Sequence, residues 1–461
     1  MSLAIQSLDD FIYGRAPHPV RCGRGLELGT GTVVPEINFT LPVMTIDEAS
    51  WPEIRRQYQE IIDGVARRAV DLEVPGLLVE FETLPAMTNR PEWGIEIVEI
   101  LSTALRDFHE KHGLRSALRF TPNDTRDFYS PSRMRSGRYW EAMKQSFDRA
   151  AAAGADLLSI ESTGGKEVCD DALRFGDLRG LVFGLSILGA RDMEFLWTHM
   201  VGVCNRTNIV PAGDAACAFG NTAMVLADQH FIPRVLAAIV RVASVPRSLV
   251  AYRMGAKGPS KDCAYEGPYL KAIAGVPISM EGRSSACAHL THVGNIAQAV
   301  CDSWSNESVQ YVRLLSAYAP TVSMEQLAYD CRLLNVASAR SKEDALRMRD
   351  WLVDSDACLD PQAWVLRPDV VLRIAAQITK EVTPYRQTRI AAQCAGKELA
   401  EAAESGNLKL NPREKRWLDK LRKEIDGLPD GEEELIEEMA IGTFASKFIA
   451  GEYGLPSMDA R

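Results

Sequence analysis

Short apolar runs rich in β-branched residues alternate with amphipathic stretches between Trp51 and about Thr321. Eight of these runs are predicted as strands: residues 76–82, 116–121, 155–161, 180–186, 208–214, 247–253, 277–281 and 310–316. Between them, apolar residues three and four positions apart predict helices, for example over 93–111, 136–153, 190–204 and 221–243. Continuous apolar strands that alternate with helices are typical of a covered parallel sheet, so the chain is predicted to be an α/β protein with a closed (β/α)8 TIM-type barrel.

The segments on either side of this barrel have a different pattern. Residues 1–50 contain Pro17, Pro19 and Pro35 and are predicted to form an irregular N-terminal capping segment. After Thr321 the spacing predicts successive helices over 324–339, 342–354, 372–380, 385–404, 412–428 and 432–450. The expected organisation is therefore a capping segment (1–50), a barrel (51–321) and a C-terminal helical region (322–461).

Composition and charge exclude several classes of function. The 461 residues include 52 basic and 62 acidic side chains, a net charge of −10, without the basic cluster that nucleic-acid binding needs. The longest apolar stretch, 231–252, is interrupted by three arginines, and the N-terminus lacks the pattern of a signal peptide. We therefore expect a cytoplasmic protein that binds neither nucleic acid nor membrane. The ten cysteines have no regular short spacing, so no disulfide framework is expected.

Polar residues follow most of the predicted strands. In a barrel of this type the active site lies at the carboxyl ends of the strands, which we call the barrel mouth. The candidates at or just beyond those ends are Glu80, Asp124, Glu161, Asp214, Arg253, Lys261, Glu281 and His289. The pair Gly164 and Gly165 predicts either a close approach of the backbone to a ligand or, as is more common for glycine, a turn.

Two cysteines fall at the same predicted rim as Glu161. Cys217 follows the fifth predicted strand and Cys263 follows the sixth. Two thiolates and one carboxylate can hold zinc and leave a fourth position open for substrate. Their separations along the chain form no local motif, so these residues alone also fit two buried cysteines and a surface glutamate. His289 is similarly compatible with a metal ligand, a proton donor or a histidine at a helix start.

Five longer strings carry a family resemblance: residues 154–168, 212–224, 246–252, 258–263 and 301–308. Over roughly residues 20–340 the chain resembles the zinc-dependent methanol:corrinoid methyltransferases. The family's zinc ligands lie in the strings Glu-Ser-x-Gly-Gly, Ala-Gly-Asp-x-x-Cys and Lys-Asp-Cys, which correspond here to Glu161, Cys217 and Cys263. The resemblance thus implies a zinc ion on these three residues, a dimeric core, and a separate corrinoid-binding protein that docks over the barrel mouth.

The resemblance also implies a reaction. Zinc would act as a Lewis acid on the oxygen of methanol while the cob(I)alamin of the partner attacks the methyl carbon. An acid near the metal would then protonate the departing oxygen, and Asp214, Glu80 and His289 are the candidates for this catalytic role. Asp124, Arg253, Lys261 and Glu281 are expected to face the substrate or the corrinoid.

Other functions remain open at this point. Arg253 and Met254 stand where the family has an acidic and a small residue, which suggests a zinc-dependent O-demethylase for a larger methoxylated compound as the alternative. A metal-free barrel lyase or hydrolase would use the rim carboxylates and would stay active after chelation. A non-catalytic assembly subunit would bind a corrinoid protein without any methyl transfer.

Overall fold

The computed structural model describes residues 2–41, 44–260, 264–282, 291–309, 314–315 and 317–456. The strands are β1 (Arg15–Cys22), β2 (Leu26–Thr30), β3 (Val34–Thr40), β4 (Leu77–Glu82), β5 (Ser116–Thr121), β6 (Leu157–Ile160), β7 (Val210–Asp214), β8 (Ser279–Glu281) and β9 (Ser303–Val309). The helices of the barrel region are α1 (Trp51–Asp71), α2 (Pro85–Asn89), α3 (Pro91–His112), α4 (Gly137–Ala153), α5 (Lys166–Phe175), α6 (Leu178–Phe183), α7 (Ala190–Thr207), α8 (Cys217–Asp228), α9 (Arg234–Ala243), α10 (Val245–Met254) and α11 (Gly267–Ala274).

The C-terminal helices are α12 (Ala319–Arg340), α13 (Lys342–Asp356), α14 (Pro361–Trp364), α15 (Pro368–Ile378), α16 (Pro384–Glu404), α17 (Pro412–Asp426) and α18 (Glu432–Ile441). A π-helical stretch, Gly184–Gly189, joins α6 to α7. Short 3-10 helices lie at Leu8–Asp10, Thr125–Phe128, Ile296–Val300, Ala445–Lys447 and Ala450–Tyr453.

Seven parallel strands form the central sheet in the order β7-β6-β5-β4-β3-β9-β8. Residues 257–260 connect its two edges. The amides of Lys257 and Gly258 donate to the carbonyls of Pro211 and Ala212 next to β7, at 2.7 and 2.6 Å. Ser260 pairs in parallel with Ile278, directly before β8. Residues 257–260 therefore occupy the eighth strand position, and the sheet closes into a barrel.

A buried ion pair crosses the interior of the barrel. Arg119 of β5 contacts Glu36 of β3 at 3.0 Å, and both side chains are almost fully buried. The Arg119 guanidinium also donates to the Pro259 carbonyl, at 3.2 Å. Glu36 in turn accepts from the hydroxyls of Ser279 and Ser303. One polar network thus ties together five of the eight strand positions.

The antiparallel hairpin of β1 and β2 covers the amino-terminal end of the barrel. Val20 and Leu28 of this hairpin belong to a small apolar cluster with Leu78, Leu157 and Ala212, which lie near the starts of barrel strands. Since the hairpin closes that end with apolar contacts, the opposite end of the barrel is left for polar chemistry.

Five of the eight predicted strands are confirmed, within a few residues, as β4, β5, β6, β7 and β8. Two are wrong: residues 180–186 lie in α6 and the π-helical stretch, and residues 247–253 lie in α10. Both stretches are buried helices, and a short apolar run cannot distinguish a buried helix from a buried strand. The predicted strand at 310–316 lies mostly outside the described residues, and the strand of this region is β9.

The first strand of the barrel is β3, which lies in the segment that the sequence pattern predicts to be an irregular cap. The residues of β3 pair in parallel with both β4 and β9, so they belong to the barrel and not to an irregular cap. Polar Glu36 and Asn38 occur at alternate positions of β3 because they face the polar interior. Five of the seven residues of β9 are polar, so no apolar run marks this strand. The division into 1–50, 51–321 and 322–461 stays a prediction, with β3 as an exception to its first boundary.

The predicted helices are largely confirmed. The stretch 221–243 is divided into α8 and α9, with Pro233 at the start of α9, and the last predicted helix ends at Ile441. One helical stretch among the described residues, Arg234–Met254, has the length and hydropathy of a membrane span, but its most apolar window is entirely buried in the protein. Such burial is typical of a core helix.

Removal of one partner of the barrel ion pair is expected to be more harmful than removal of both charges. Arg119→Met leaves the buried Glu36 carboxylate without its cation, which costs about 3–5 kcal/mol in free energy of unfolding. The double variant Glu36→Gln/Arg119→Met is expected to be less destabilised, because no buried charge is left unpaired. Urea unfolding of the three proteins measures this, with the exposed Arg56→Met as a control expected to be far less destabilised than Arg119→Met. A double variant at least as unstable as Arg119→Met would contradict the coupling.

Candidate functional site

The carboxyl ends of β6 and β7 bring two predicted site residues together. Glu161 directly follows β6, and Asp214 is the last residue of β7 and pairs in register with Ile160. The Ser162 amide and hydroxyl donate to the Asp214 carboxylate at 3.3 and 2.6 Å. Cys217 begins α8 only three residues after Asp214. Glu161, Asp214 and Cys217 therefore lie on adjacent strand ends at the barrel mouth.

The Asp214 carboxylate is directed into the protein. It accepts a hydrogen bond from Trp197 Nε1 at 3.3 Å and lies 3.6 Å from Arg247 Nη1, and the side chains of both Asp214 and Arg247 are fully buried. Arg247 also donates to the carbonyl of Ser162, at 2.7 Å. Burial raises the pKa of Asp214 to about 6, although Arg247 and Ser162 favour its charged form. These contacts fix the backbone next to Glu161.

A second network holds the next residue of the same loop. The Asp124 carboxylate accepts from the amide and the hydroxyl of Thr163, at 2.9 and 3.1 Å. Arg126 bridges Asp124 and Asp192 with contacts of 2.8 Å to each, and all three side chains are fully buried. Burial alone would raise the pKa of Asp124, but Arg126 and the Thr163 amide lower it below its ordinary value. Asp124 therefore remains charged and bound to the loop.

The two glycines of the loop make a tight turn against protein. An added Cβ on Gly164 would lie 2.3 Å from Cβ of Asp192. Gly165 has a φ of +85°, and its Cβ would lie 2.3 Å from the carbonyl oxygen of Gly184 in the π-helical stretch. The close approach is thus to neighbouring protein segments, which is the turn interpretation of this pair.

A buried carboxylate also supports the turn that carries Cys217. Glu266 Oε1 accepts from the Ala216 amide at 2.6 Å and from the Ser248 hydroxyl at 2.7 Å. Ala264, the residue after Cys263 in the sequence, packs against α8: a Cβ added to Gly220 would lie 3.0 Å from the Ala264 Cβ. Hence the described residues on the C-terminal side of Cys263 lie against the first turns of the helix that begins with Cys217.

The sulphur of Cys217 is distinct from the other described thiols. Seven other cysteines among the described residues are free thiols, and Cys217 is not one of them. Cys217 is nearly buried and is the first residue of α8, where the helix amides stabilise a thiolate.

Two of the remaining predicted site residues lie on the inner face of the barrel. Glu80 accepts a hydrogen bond of 2.6 Å from the Thr121 hydroxyl. Glu281 lies two residues after Ser279, so it shares the inward face of β8. Both carboxylates are almost fully buried.

The remaining predicted site residues are either outside the described residues or bonded to neighbouring side chains. Lys261, Cys263 and His289 lie outside the described residues. The carboxylate of Asp124 is bonded to Arg126 and Thr163. Arg253 is also not at the mouth: it lies in the last turn of α10, which leads to the amino-terminal end of the sheet, and it donates to Gln387. Among the described residues, no group of three His, Cys, Asp or Glu side chains is arranged to hold a metal ion.

Sequence reasoning missed the residues that support the loop. Arg247 lies in the string 246–252, which carries the family resemblance. The sequence pattern predicts a strand there, whereas Arg247 lies in α10. Glu266 follows Cys263 by three positions, and this proximity is a usable signal. Nothing in the sequence points to Asp192 or to Tyr453, whose hydroxyl accepts from the Gly165 amide at 3.2 Å. They reach the loop only through the tertiary fold.

The raised pKa of Asp214 predicts a pH dependence of stability. The folded protein holds this proton more tightly than the unfolded chain does, so the group stabilises the fold most at low pH and its contribution is lost as the pH rises through 6. Between pH 5 and 7.5 this amounts to about 1 kcal/mol. Urea unfolding of the metal-free wild type and of Asp214→Asn at both pH values should show that difference only in the wild type. Parallel pH dependence of the two proteins would contradict it.

Comparisons with known proteins agree with this geometry. The model of the family described as Methanol-cobalamin methyltransferase B subunit matches residues 1–454. The methanol--corrinoid protein co-methyltransferase of Methanosarcina barkeri (strain Fusaro / DSM 804) is 36% identical over 442 residues, which cover 95% of this chain and 94% of that protein. The crystal structure of the methanol:cobalamin methyltransferase complex MtaBC from Methanosarcina barkeri matches with a TM-score of 0.93 and 34% identity, over 98% of this chain and 99% of the other. The chain therefore belongs to the methanol-cobalamin methyltransferase B subunit family.

Proposed function

We propose that this protein activates methanol on a zinc ion held by Glu161, Cys217 and Cys263, and that it transfers the methyl group to a corrinoid carried by a partner protein. Membership of the family and the name of the M. barkeri relative support the substrate and the acceptor. The observation that carries the proposal is the Ser162–Asp214 contact, which joins the strand ends that bear Glu161 and Cys217.

The donor set fits zinc. Two thiolates and a carboxylate are ordinary zinc ligands, and three protein ligands leave one position for substrate. The start of α8 favours the thiolate of Cys217, and Glu266 holds the preceding amide in place. The metal requires both thiols in the reduced state, which agrees with a cytoplasmic location.

When bound, zinc supplies a Lewis acid for the methanol oxygen, and the corrinoid of the partner supplies the nucleophile. The chain's own residues fix the geometry. Asp214 and Arg247 hold Ser162, and Asp124 holds Thr163, so the backbone after Glu161 has little freedom to move. A displacement in line depends on such fixed positions of the reacting groups.

The role of proton donor to the departing oxygen is assigned to an inward-facing acid. Asp214 is fully buried and its oxygens are used by Ser162, Trp197 and Arg247, so we assign it a positioning role. Glu80 and Glu281 remain the candidates among the described residues, with His289 outside them. Methanol is favoured over a larger methoxylated compound because the family and the relative are both named for methanol.

The partner is proposed by analogy with the solved relative, which is described as a complex. We propose a corrinoid protein that docks over the barrel mouth, since the corrinoid must reach the strand ends that carry Glu161 and Cys217. A homodimeric core is a further prediction that rests on the family resemblance.

The proposed metal site is tested by zinc content. Purified wild type, reduced and reconstituted without oxygen, is expected to hold about one zinc per chain, as a site with three protein ligands does. Cys217→Ala and Cys263→Ala are each expected to lose most of it in mass spectrometric metal analysis. Cys204→Ala is the matched control, because Cys204 is a buried free thiol in α7 that contributes to no site.

The same proteins are then assayed for methanol-dependent methylation of cob(I)alamin. Wild type and Cys204→Ala are expected to form methylcobalamin, and the two ligand variants to lose the activity by a factor of about 100 or more. Wild type without zinc, or ligand variants with undiminished zinc, would refute the ligand assignment. Turnover of a methoxylated aromatic compound without turnover of methanol would refute the proposed substrate.

A further inference from the structure

The end of the described chain returns to the loop after β6. Residues 444–455, which we call the C-terminal strap, follow α18 and contain two short 3-10 helices. Tyr453 of the strap is 2% exposed, and its hydroxyl oxygen accepts the Gly165 amide hydrogen bond. This contact spans 288 positions of the sequence and lies four residues from Glu161.

Several independent contacts hold the strap in place. Glu452 accepts hydrogen bonds from the Arg135 amide, at 2.6 Å, and from the Ser136 hydroxyl. Lys447 forms an ion pair of 2.8 Å with Asp171 of α5. The side chains of Phe444, Phe448, Tyr453 and Leu455 are buried, and the ring of Phe448 packs against Phe183 of α6 with centroids 5.2 Å apart. The strap is therefore an integral part of the fold near the barrel mouth.

The Tyr453 contact completes the support of the Glu161 loop. Ser162 is held by Asp214 and Arg247, Thr163 by Asp124, and the side of Gly164 is closed by Asp192. Two residues after Thr163, the amide of Gly165 again donates to a side chain, the hydroxyl of Tyr453. Without the tyrosine oxygen it would be buried with no acceptor from the strap, a condition that favours local opening of the turn.

We propose that Tyr453 is a positioning residue for the zinc ligand Glu161, and that the C-terminal strap keeps the loop of residues 161–166 closed. The part of this inference that concerns zinc rests on the proposed function. The part that concerns loop order does not, because it is argued from the Gly165–Tyr453 contact alone. The C-terminal region thus receives a role at the site, which its distance in sequence conceals.

The substitution Tyr453→Phe tests this, because it removes the acceptor and keeps the buried ring. In the metal-free protein, hydrogen exchange of the amides in 161–166, followed by mass spectrometry, is expected to be about fivefold faster or more. The matched control is Tyr385→Phe in α16, which removes another buried tyrosine hydroxyl of the C-terminal region, bonded to the Pro429 carbonyl at 2.5 Å. It is expected to leave exchange in 161–166 unchanged, even where its loss of thermal stability is equal.

A second measurement addresses the metal. The zinc affinity of Tyr453→Phe, measured by competition with a chromophoric chelator, is expected to fall by about fivefold or more, and that of Tyr385→Phe to equal wild type. Glu452→Ala, which loosens the strap at a different point, is expected to shift both measurements in the same direction.

The outcomes separate the two proposals. Unchanged exchange in 161–166 for Tyr453→Phe would overturn the inference about the strap, whatever the zinc content. Faster exchange with unchanged zinc affinity would overturn the positioning role of Tyr453. Absence of zinc from wild type would instead refute the proposed function and leave the exchange comparison intact.

Discussion

The buried pair of Arg119 and Glu36 is the interaction on which the barrel depends. An arginine without access to water is tolerated when its charge is paired and most of its donors are used. Here Nε of Arg119 has no partner among the described residues, but the terminal nitrogens of its guanidinium bind Glu36 and the Pro259 carbonyl, which lie on different strands. A strand that shifts its register would break this network, so the pair fixes the position of the strands relative to one another. It also makes the barrel interior polar. The inward-facing carboxylates of Glu80 and Glu281 therefore belong to a polar interior and do not interrupt an apolar one.

The loop after β6 shows how a barrel of this kind prepares a site. Three buried acidic side chains surround it, and two arginines balance their charge: Arg247 at Asp214, and Arg126 between Asp124 and Asp192. Ion pairs of this sort contribute little net stability to a fold, but they hold a backbone in one arrangement. The loop follows a short strand and has two consecutive glycines, so local sequence alone would leave it free. Its order comes from contacts with residues far away in the chain.

The sequence predicted the barrel, but it misassigned the elements whose polarity is unusual. β3 has polar residues at alternate positions and β9 has them at most positions. Both strands line a polar interior, and a search for apolar runs passes over them. The sequence of α10 predicts a strand because the helix is buried on all sides, so its apolar residues do not recur at a spacing of three or four. The strings around Glu161 and Cys217 were recognisable because they are long and specific matches to the family. The residues that support these strings, such as Asp192 and Tyr453, were not predictable, since a buried carboxylate or tyrosine has no local pattern of its own.

The topology also sets an order of events during synthesis. β3 lies near the start of the chain but pairs with β9, so the sheet cannot close on the ribosome until residues 303–309 have emerged. The hydrogen bond from Gly165 to Tyr453 forms later still, once almost the whole chain has left the exit tunnel. Contacts that join distant parts of a chain form slowly, because the intervening segment must first be ordered. The turn at Gly165 is consequently among the last parts of the molecule to be completed, and a nascent chain carries this turn before it has the contact with Tyr453.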